Sequence, residues 1–228
     1  MPVSAYPHTG NVRGVFLDFD GTLFSTERIH RLAIAHTLQE ELGVDIDPDE
    51  LRAYSGLLYP ERLGHALAMR GIDDEDRIAE LSKKAYRYFQ QHVDEHDTLL
   101  PGAKTFISAV ADANIALAIV SSGFRSFIEN ELDRVNLRKF FSCIIACEDV
   151  PARKPHPAPY RAALDQLNLS PHEVVAFEDS PPGIESARLA GITVVALLTT
   201  FPAQDLEHAI QIIRNFNEIS IAQLHQLV

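Results

Sequence analysis

Two aspartates at alternate positions, Asp18 and Asp20, directly follow the short apolar run 12–17 and come just before a Gly-Thr turn. Side chains alternate between the two faces of a strand, so both carboxylates would point the same way if the strand continued through them. Two acids directed into one pocket suggest a metal site, a nucleophile paired with an acid/base group, or both. Because Asp-Gly is also ordinary turn chemistry, this segment alone leaves a solvated turn as the alternative.

Polar groups recur at or after the ends of three further apolar runs. In chain order they are Ser121-Ser122-Gly123, Lys154 in a loop, and Glu178-Asp179-Ser180. Each has an ordinary structural alternative: a turn, a solvated lysine, or a helix N-cap. Their joint appearance at successive strand ends is hard to obtain by chance, and the carboxyl ends of strands are where ligands bind in an open α/β sheet.

The elements that must position these groups fall into three parts. The run 12–17 is predicted as the first strand, the stretch from 26 to 99 has helical spacing with about four helices, and strands alternate with helices from Pro101 onward. The further predicted strands are 115–120, 143–146, 174–177, 193–197 and a short 210–213. Alternation predicts parallel pairing with right-handed crossovers. We therefore predict a doubly wound α/β core of residues 12–24 and 100–228, with a helical domain of residues 25–99 inserted after the first strand.

Composition limits the classes of partner. The chain has 228 residues, of which 46% are hydrophobic and 23% charged, as in globular proteins with a sizeable core. A net charge of −12 argues against nucleic acid as a partner. We find no membrane-spanning run and no signal-peptide pattern at the start, and we interpret Cys143 and Cys147 as free thiols, so we expect a cytoplasmic protein. The sequence leaves the oligomeric state open.

The ordered motifs DFDGTL, VSSG, RKPHP and FEDSPPGIESARLAG resemble the four motifs of the haloacid dehalogenase-like (HAD) superfamily. The position of the helical block resembles the subfamily with a C1-type cap. Within it, DGTLFSTERIH followed by that block is most similar to the β-phosphoglucomutase and phosphoglycolate phosphatase-like branch. The resemblance extends from about Val12 to Ile219 and implies a Rossmann-like core with an α-helical cap.

The resemblance implies a role for each catalytic residue. Asp18 would attack phosphorus and form an aspartyl-phosphate, while Asp20 would protonate the leaving alkoxide and then activate water. Lys154 would pair with Asp18 and with the phosphoryl group, keeping the nucleophile ionised beside a dianion. Thr22 would orient Asp20 by a hydrogen bond.

The resemblance also implies how metal and phosphate are bound. Mg²⁺ would be held by Asp18, Glu178, Asp179 and the backbone carbonyl of Asp20, since hard oxygen ligands suit this ion. The phosphoryl oxygens would be bound by Ser121 and by backbone donors of Ser122 and Gly123 near a helix N-terminus.

Three alternatives concern the reaction. Dehalogenases lack an acid two positions after the nucleophile, so the presence of Asp20 favours phosphoryl transfer. Mutases of the β-phosphoglucomutase type carry cap cations for a second phosphate, whereas here no arginine follows Tyr54 until Arg62 and the later lysine position is occupied near Phe89. Hydrolysis is therefore favoured over the mutase reaction. A phosphoacceptor module of the receiver type, which also uses aspartyl-phosphate and Mg²⁺, is disfavoured by the chain length and the inserted helices.

The expected function is hydrolysis of a small phosphorylated metabolite, such as a sugar phosphate or phosphoglycolate. Tyr54 and Tyr59 lie on the predicted specificity loop and either contact the leaving group or pack between helices. His30 either lines the mouth of the site or packs in the helical block.

Overall fold

A six-stranded parallel sheet forms the centre of the protein, whose computed structural model describes residues 11–72, 74–93 and 98–228. The strand order is β3-β2-β1-β4-β5-β6, and every described pairing is parallel. The strands are β1 Gly14–Leu17, β2 Ala116–Val120, β3 Cys143–Ile145, β4 Val174–Glu178, β5 Thr193–Leu197 and β6 Gln211–Ile213. The predicted doubly wound α/β fold is confirmed. The start of the chain, residues 1–10, lies outside the described part.

Helices cover both faces of the sheet, which explains why its strands are continuous apolar runs rather than alternating ones. The helices are α1 Glu27–Leu42, α2 Tyr59–Ala68, α3 Glu75–His92, α4 Ala103–Asp112, α5 Arg125–Arg134, α6 Ala158–Leu167, α7 Pro181–Leu189 and α8 Ile221–Leu224. Val15 and Leu17 of β1 pack with residues of α4 and α5, whereas Phe16 faces residues of α6 and α7. No helix in the described ranges is long and apolar enough to cross a membrane.

The helices α1, α2 and α3 form a segment between β1 and α4. The first of them ends at Gly43, which adopts the left-handed conformation with φ 67° and so closes the helix. The next element in this segment is a 3-10 helix over Pro48–Tyr54, capped by the Asp47 carboxylate. The connections into and out of the segment lie side by side, because Phe24 and Leu99 form an antiparallel bridge. The domain boundaries at 24/25 and 99/100 stay a prediction.

Candidate active site

The site residues meet because β1 lies between β2 and β4. Leu17 is in register with Ile119 on one side and Phe177 on the other. The residues that follow Leu17, Ile119 and Phe177 therefore lie at the same edge of the sheet. This brings Asp18 and Glu178 together although they are far apart in sequence. This edge is the topological switch point at which open α/β sheets bind ligands.

The turn after β1 depends on Gly21, whose φ is 84°. A Cβ at this position would lie 1.9 Å from Oδ2 of Asp179 and 2.6 Å from Oγ1 of Thr200. Its amide donates a hydrogen bond to the carbonyl oxygen of Phe24 at 2.6 Å, which closes the turn. Glycine is required here both for the backbone conformation and for the close approach of the first motif to the last.

Three buried carboxylates, those of Asp18, Glu178 and Asp179, form the floor of the site. Each offers an oxygen within 4.8 Å of the others. Lys154 extends into this cluster from the loop after β3, and its Nζ lies 2.5 Å from Oδ1 of Asp18 and 2.5 Å from Oε1 of Glu178. It also donates to the carbonyl oxygen of Val120 at 2.8 Å. Burial opposes the charge of Lys154, but these two carboxylates outweigh burial and raise its pKa above the ordinary value.

The acidic cluster holds more negative charge than Lys154 offsets. Burial, together with the neighbouring carboxylates, raises the pKa values of Asp18 and Asp179 well above the ordinary value for an aspartate. Oδ2 of Asp179 is buried and meets no hydrogen-bond donor within the described residues. An unpartnered carboxylate oxygen beside two other acids fits a divalent cation with hard oxygen ligands. The donor set therefore fits Mg²⁺, with Asp18, Glu178 and Asp179 as the residues that would hold it.

The Asp20 carboxylate lies outside this cluster and has partners from α1. The hydroxyl of Thr26 donates to its Oδ1, and Nε2 of His30 lies 3.3 Å from the same oxygen. The other ring nitrogen of His30 is 2.8 Å from the hydroxyl of Tyr59, so Tyr59, His30 and Asp20 form a chain of contacts. His30 also stacks on Phe89 with ring centroids 3.8 Å apart, and thus it both lines the site and packs in the helical segment.

The expectation that Thr22 orients Asp20 needs correction. Thr22 is fully buried, and its hydroxyl donates to Oδ1 of Asp179 at 3.4 Å rather than to Asp20. Thr26, four residues further along, makes the contact with Asp20, because the turn at Gly21 folds the start of α1 back over the aspartate. Which of two nearby threonines reaches Asp20 depends on that turn, and no sequence signal distinguishes them.

The turn Ser121-Ser122-Gly123 lies between β2 and α5 at the edge of the site. Oγ of Ser121 accepts a hydrogen bond from the amide of Gly123 at 2.9 Å. A Cβ at position 123 would lie 3.5 Å from Oδ2 of Asp20, which measures how closely this turn approaches the acid. The structure thus brings the serine motif and both first-motif aspartates to one cavity. Binding of phosphoryl oxygens by this turn stays a prediction.

A cavity of about 530 Å³ connects these groups with the helical segment. Tyr59 lines it, as do residues of α3 that the sequence did not single out, namely Lys83, Tyr86 and Gln90. Helical periodicity identified α3 but not which of its turns faces the site. Tyr54 is not among the lining residues: it stacks on His65 with ring centroids 4.6 Å apart, which favours the packing alternative for Tyr54.

A second residue that sequence reasoning missed is Tyr160 on α6. Its hydroxyl donates to Oε1 of Glu178 at 2.6 Å, and its ring faces Nζ of Lys154 at 5.3 Å from the centroid. Tyr160 is fully buried and therefore fixes the position of Glu178 from below the site. Its place in a helix that reads as ordinary core gave no signal of this contact.

Comparison with known families is consistent with this geometry. The family model for haloacid dehalogenase-like hydrolases matches residues 15–197, a range that contains every motif residue discussed above. The chain belongs to the haloacid dehalogenase-like hydrolase family. The predicted resemblance is thereby confirmed, and because the family is one of enzymes, the receiver-type module is no longer an alternative.

Individual relatives carry phosphatase and mutase names. The chain is 30% identical to validoxylamine A 7'-phosphate phosphatase of Streptomyces hygroscopicus subsp. limoneus, over 89% of this chain and 93% of the relative. It is 27% identical to phosphoglycolate phosphatase of Chromobacterium violaceum, over 82% and 85% respectively. The solved structure of β-phosphoglucomutase from Clostridium difficile superimposes with a TM-score of 0.82 at 21% identity, covering 94% of this chain and 97% of that one, which shows the shared fold.

Proposed function

We propose that this protein is a Mg²⁺-dependent phosphatase that hydrolyses a small phosphorylated metabolite through an aspartyl-phosphate on Asp18. The observation that carries the proposal is the pairing of Asp18 with Lys154 at 2.5 Å beside the unpartnered Oδ2 of Asp179. A carboxylate nucleophile, a fixed cation and a carboxylate oxygen free to hold a metal, all at one strand edge, are the parts that attack on a phosphoryl group needs.

Each residue has a defined step in this reaction. A carboxylate oxygen of Asp18 attacks phosphorus, and the bond from phosphorus to the ester oxygen breaks while Asp20 gives its proton to the leaving alcohol. Asp20, now ionised, then takes a proton from the water that hydrolyses the aspartyl-phosphate, which returns both aspartates to their first state. Mg²⁺, when bound, supplies positive charge that offsets repulsion between the carboxylate and the phosphoryl oxygens.

Thr26 and His30 hold Asp20 in position for both proton transfers. Ser121, Ser122 and Gly123 are the proposed donors to phosphoryl oxygens, and Lys154 the proposed counter-charge. Residues 25–99 are proposed to act as a cap that excludes bulk water above a core of residues 12–24 and 100–228.

The proposed substrate class is a sugar phosphate or a phosphoglycolate-like ester. The names of the two phosphatase relatives support a small phosphate ester in general terms. The proposed compartment is the cytoplasm, supported by the two free cysteines, Cys143 and Cys147. No nucleic-acid or membrane partner is part of the proposal.

The test is release of inorganic phosphate from a panel of phosphorylated metabolites, with Mg²⁺ and with a chelator. We expect turnover that disappears when the chelator is added and returns with excess Mg²⁺. The Asp18→Asn variant serves as the control for contaminating phosphatase. Equal turnover with and without the metal would overturn the metal requirement, and turnover by Asp18→Asn would overturn the assignment of the nucleophile.

The alternative reaction is that of a phosphomutase, supported only by the fold shared with β-phosphoglucomutase. A mutase returns the phosphoryl group to a second hydroxyl of the same sugar, whereas a phosphatase transfers it to water. Product analysis with a sugar phosphate separates the two: isomerised ester in place of inorganic phosphate would favour the mutase.

A further inference from the structure

The half of the cavity formed by the helical segment and the start of α5 has an apolar and aromatic lining. Leu57 and Leu58 line it from the loop before α2, Tyr86 from α3 and Phe124 from the start of α5. The rings of Tyr86 and Phe124 meet edge to face with centroids 6.0 Å apart. Phe124 keeps 43% of its surface exposed, so a ligand in the cavity would bury apolar area that the protein itself leaves uncovered.

This half of the cavity offers almost no free positive charge. The guanidinium of Arg62 makes two contacts with the Glu27 carboxylate, at 2.9 and 2.8 Å, and both side chains are buried. Its Nε donates to the carbonyl oxygen of Leu57 at 2.6 Å, so three of its five N–H donors are engaged within the protein and its charge is balanced by Glu27. The other lysine or arginine of the helical segment that lines the cavity is Lys83, which has no carboxylate partner within the described ranges. Lys83 is exposed to solvent, so solvent and salt screen its charge.

Besides Asp179, a second residue on the cavity lining has a polar atom without a partner among the described residues. Ser55 is only 3% exposed, and its Oγ is buried without a hydrogen bond to any described residue. A buried hydroxyl of this kind is normally satisfied, so its presence on the cavity wall points to a hydrogen-bonding group on the ligand.

We propose that this half of the cavity is a subsite for an uncharged alcohol that carries a ring, together with one hydrogen-bonding substituent that meets Ser55. The substrate class is then a monoester with a single phosphate, and esters with a second anionic group are disfavoured. The inference rests on the proposed phosphatase function and narrows it, because it disfavours phosphoglycolate, whose leaving alcohol carries a carboxylate.

The first experiment compares kcat/KM for four esters of primary alcohols, so that the acidity of the leaving group changes little between the uncharged pair. These are 2-phenylethyl phosphate, ethyl phosphate, phosphoglycolate and propane-1,3-diyl bisphosphate. We expect 2-phenylethyl phosphate to exceed ethyl phosphate by about 10- to 100-fold, the range that apolar pocket contacts provide. The two esters with a second anionic group should fall below ethyl phosphate. A preference for either ester with a second anionic group, or no preference for the ring, would overturn the proposal.

Variants then test whether the named residues create the preference. Phe124→Ala should lower the ratio of 2-phenylethyl to ethyl phosphate by about tenfold. Leu189→Ala is the matched control, since Leu189 is 45% exposed on α7 and does not line the cavity. An unchanged ratio in Phe124→Ala, with the same melting temperature as the parent, would overturn the assignment of the subsite.

Ser55 has its own test in a series of 2-(hydroxyphenyl)ethyl phosphates with the hydroxyl at each ring position. Ser55→Ala should reduce kcat/KM for at least one of them about tenfold more than for 2-phenylethyl phosphate, as expected for loss of a hydrogen bond in a pocket. Equal losses across the series would contradict the role of Ser55.

Failure of this inference is distinguishable from failure of the proposed function. Hydrolysis of p-nitrophenyl phosphate that is lost in Asp18→Asn shows phosphatase activity that depends on Asp18, whichever alcohol the preferred substrate carries. Suppose that this activity is present, but that the protein prefers esters with a second anionic group and loses this preference in Lys83→Gln. That result would show that the subsite binds a second anion at the edge of the cavity, and it would overturn the apolar assignment.

Discussion

Asp18 and Asp20 are close in sequence but have different surroundings, and the difference supports the separate roles proposed for them. Asp18 faces the Lys154 ammonium and the other two acids of the cluster. Asp20 faces the Thr26 hydroxyl and the His30 ring instead. Only Asp20 is therefore placed to exchange a proton without competing with a metal for its carboxylate.

Replacing the nucleophile is expected to abolish turnover while leaving the fold intact. Asp18→Asn removes the attacking oxygen and also one of three mutually repelling carboxylates, so the free energy of unfolding in the absence of metal should be equal or higher. Phosphate release and thermal unfolding followed by circular dichroism are the two measurements. An inactive variant that is also unfolded would not support the role of Asp18, because the loss would then have a structural cause.

Replacing the acid/base group should affect substrates according to their leaving group. Asp20→Asn is expected to lower kcat about 10²- to 10⁴-fold for alkyl phosphates, which need a proton on the departing oxygen. With p-nitrophenyl phosphate the first step needs no such proton, so a single-turnover burst of nitrophenol should be retained. Equal loss of the burst and of alkyl ester turnover would contradict acid catalysis by Asp20.

The sequence predicted the residues whose chemistry is distinctive and missed those whose role depends on the turn geometry. Asp18, Glu178 and Asp179 are charged groups at strand ends, which a parallel sheet brings together, and Lys154 lies in the loop after strand β3. The hydroxyl that binds Asp20 was assigned to Thr22 and belongs to Thr26. A hydroxyl has no signature beyond its type, since its partner is set by the path of the backbone.

At the scale of elements, the ion pair of Glu27 and Arg62 ties α1 and α2 to the loop between them. Glu27 accepts a hydrogen bond from the amide of Gly56 at 3.1 Å, and Arg62 donates to the carbonyl oxygen of Leu57. Burial alone would raise the pKa of Glu27, but the Arg62 guanidinium lowers it to about 2. The pair therefore holds the loop that forms part of the cavity wall.

Breaking this pair on one side should be strongly destabilising. Glu27→Gln leaves a buried guanidinium without its counter-charge, and the expected loss in the free energy of unfolding is about 3–5 kcal/mol. The double variant Glu27→Leu/Arg62→Met should lose less than Glu27→Gln alone, because neither charge is then left buried. Urea denaturation of the parent and the two variants at pH 7 measures both losses in the free energy of unfolding. A double variant that loses at least as much stability as Glu27→Gln would contradict coupling between the two charges.

The same pair predicts a dependence on pH. Since the pKa of Glu27 is lowered from 4.5 to about 2 in the folded state, its stabilisation is complete above pH 4.5 and is lost as the pH falls towards 2. Urea denaturation midpoints measured between pH 4.5 and pH 2 should fall more steeply with decreasing pH for the parent than for Glu27→Gln. The variant carries no titrating group at this position. Parallel curves would contradict the lowered pKa.

Element boundaries followed from the sequence to within a few residues where apolar runs are bounded by Gly or Pro. The predicted strand 193–197 is found unchanged as β5, and the predicted strand 143–146 ends one residue earlier. The stretch Pro48–Tyr54, within the region predicted as helical, is a 3-10 helix rather than an α-helix. The lining turns of α3 were not predictable, since both of its faces carry aromatic residues.

At the scale of the whole molecule, one ion pair joins the helical segment to the loop that carries Lys154. The guanidinium of Arg153 contacts both carboxylate oxygens of Glu61 on α2, at 2.8 and 3.2 Å. Both side chains are about one-third exposed, so solvent screens the interaction and its contribution is small. The pair is positioned to favour the arrangement in which the segment covers the cavity.

Removing this pair should raise KM more than it lowers kcat. Arg153→Gln is preferable to a change at Glu61, because Glu61 also accepts a hydrogen bond from the amide of Leu58 at 2.9 Å. We expect up to about a fivefold rise in KM at low salt and little difference at high salt, as for other exposed ion pairs. Arg188→Gln, which removes a pair with Glu185 within α7, is the control. A rise in KM that persists at high salt would contradict the electrostatic role.

The central position of β1 has a consequence for the growing polypeptide. Gly14–Leu17 is buried throughout, and its hydrogen-bonding partners, β2 and β4, both come after the helical segment in the chain. On the ribosome, β1 is therefore made early and waits with both edges open while α1, α2 and α3 can pack locally. We expect nascent chains that end before Ala116–Val120 to be bound by chaperones or degraded. Protection of β1 from chaperones and proteases should begin once β2 has been synthesised. The site itself cannot assemble until β4 has emerged from the ribosome.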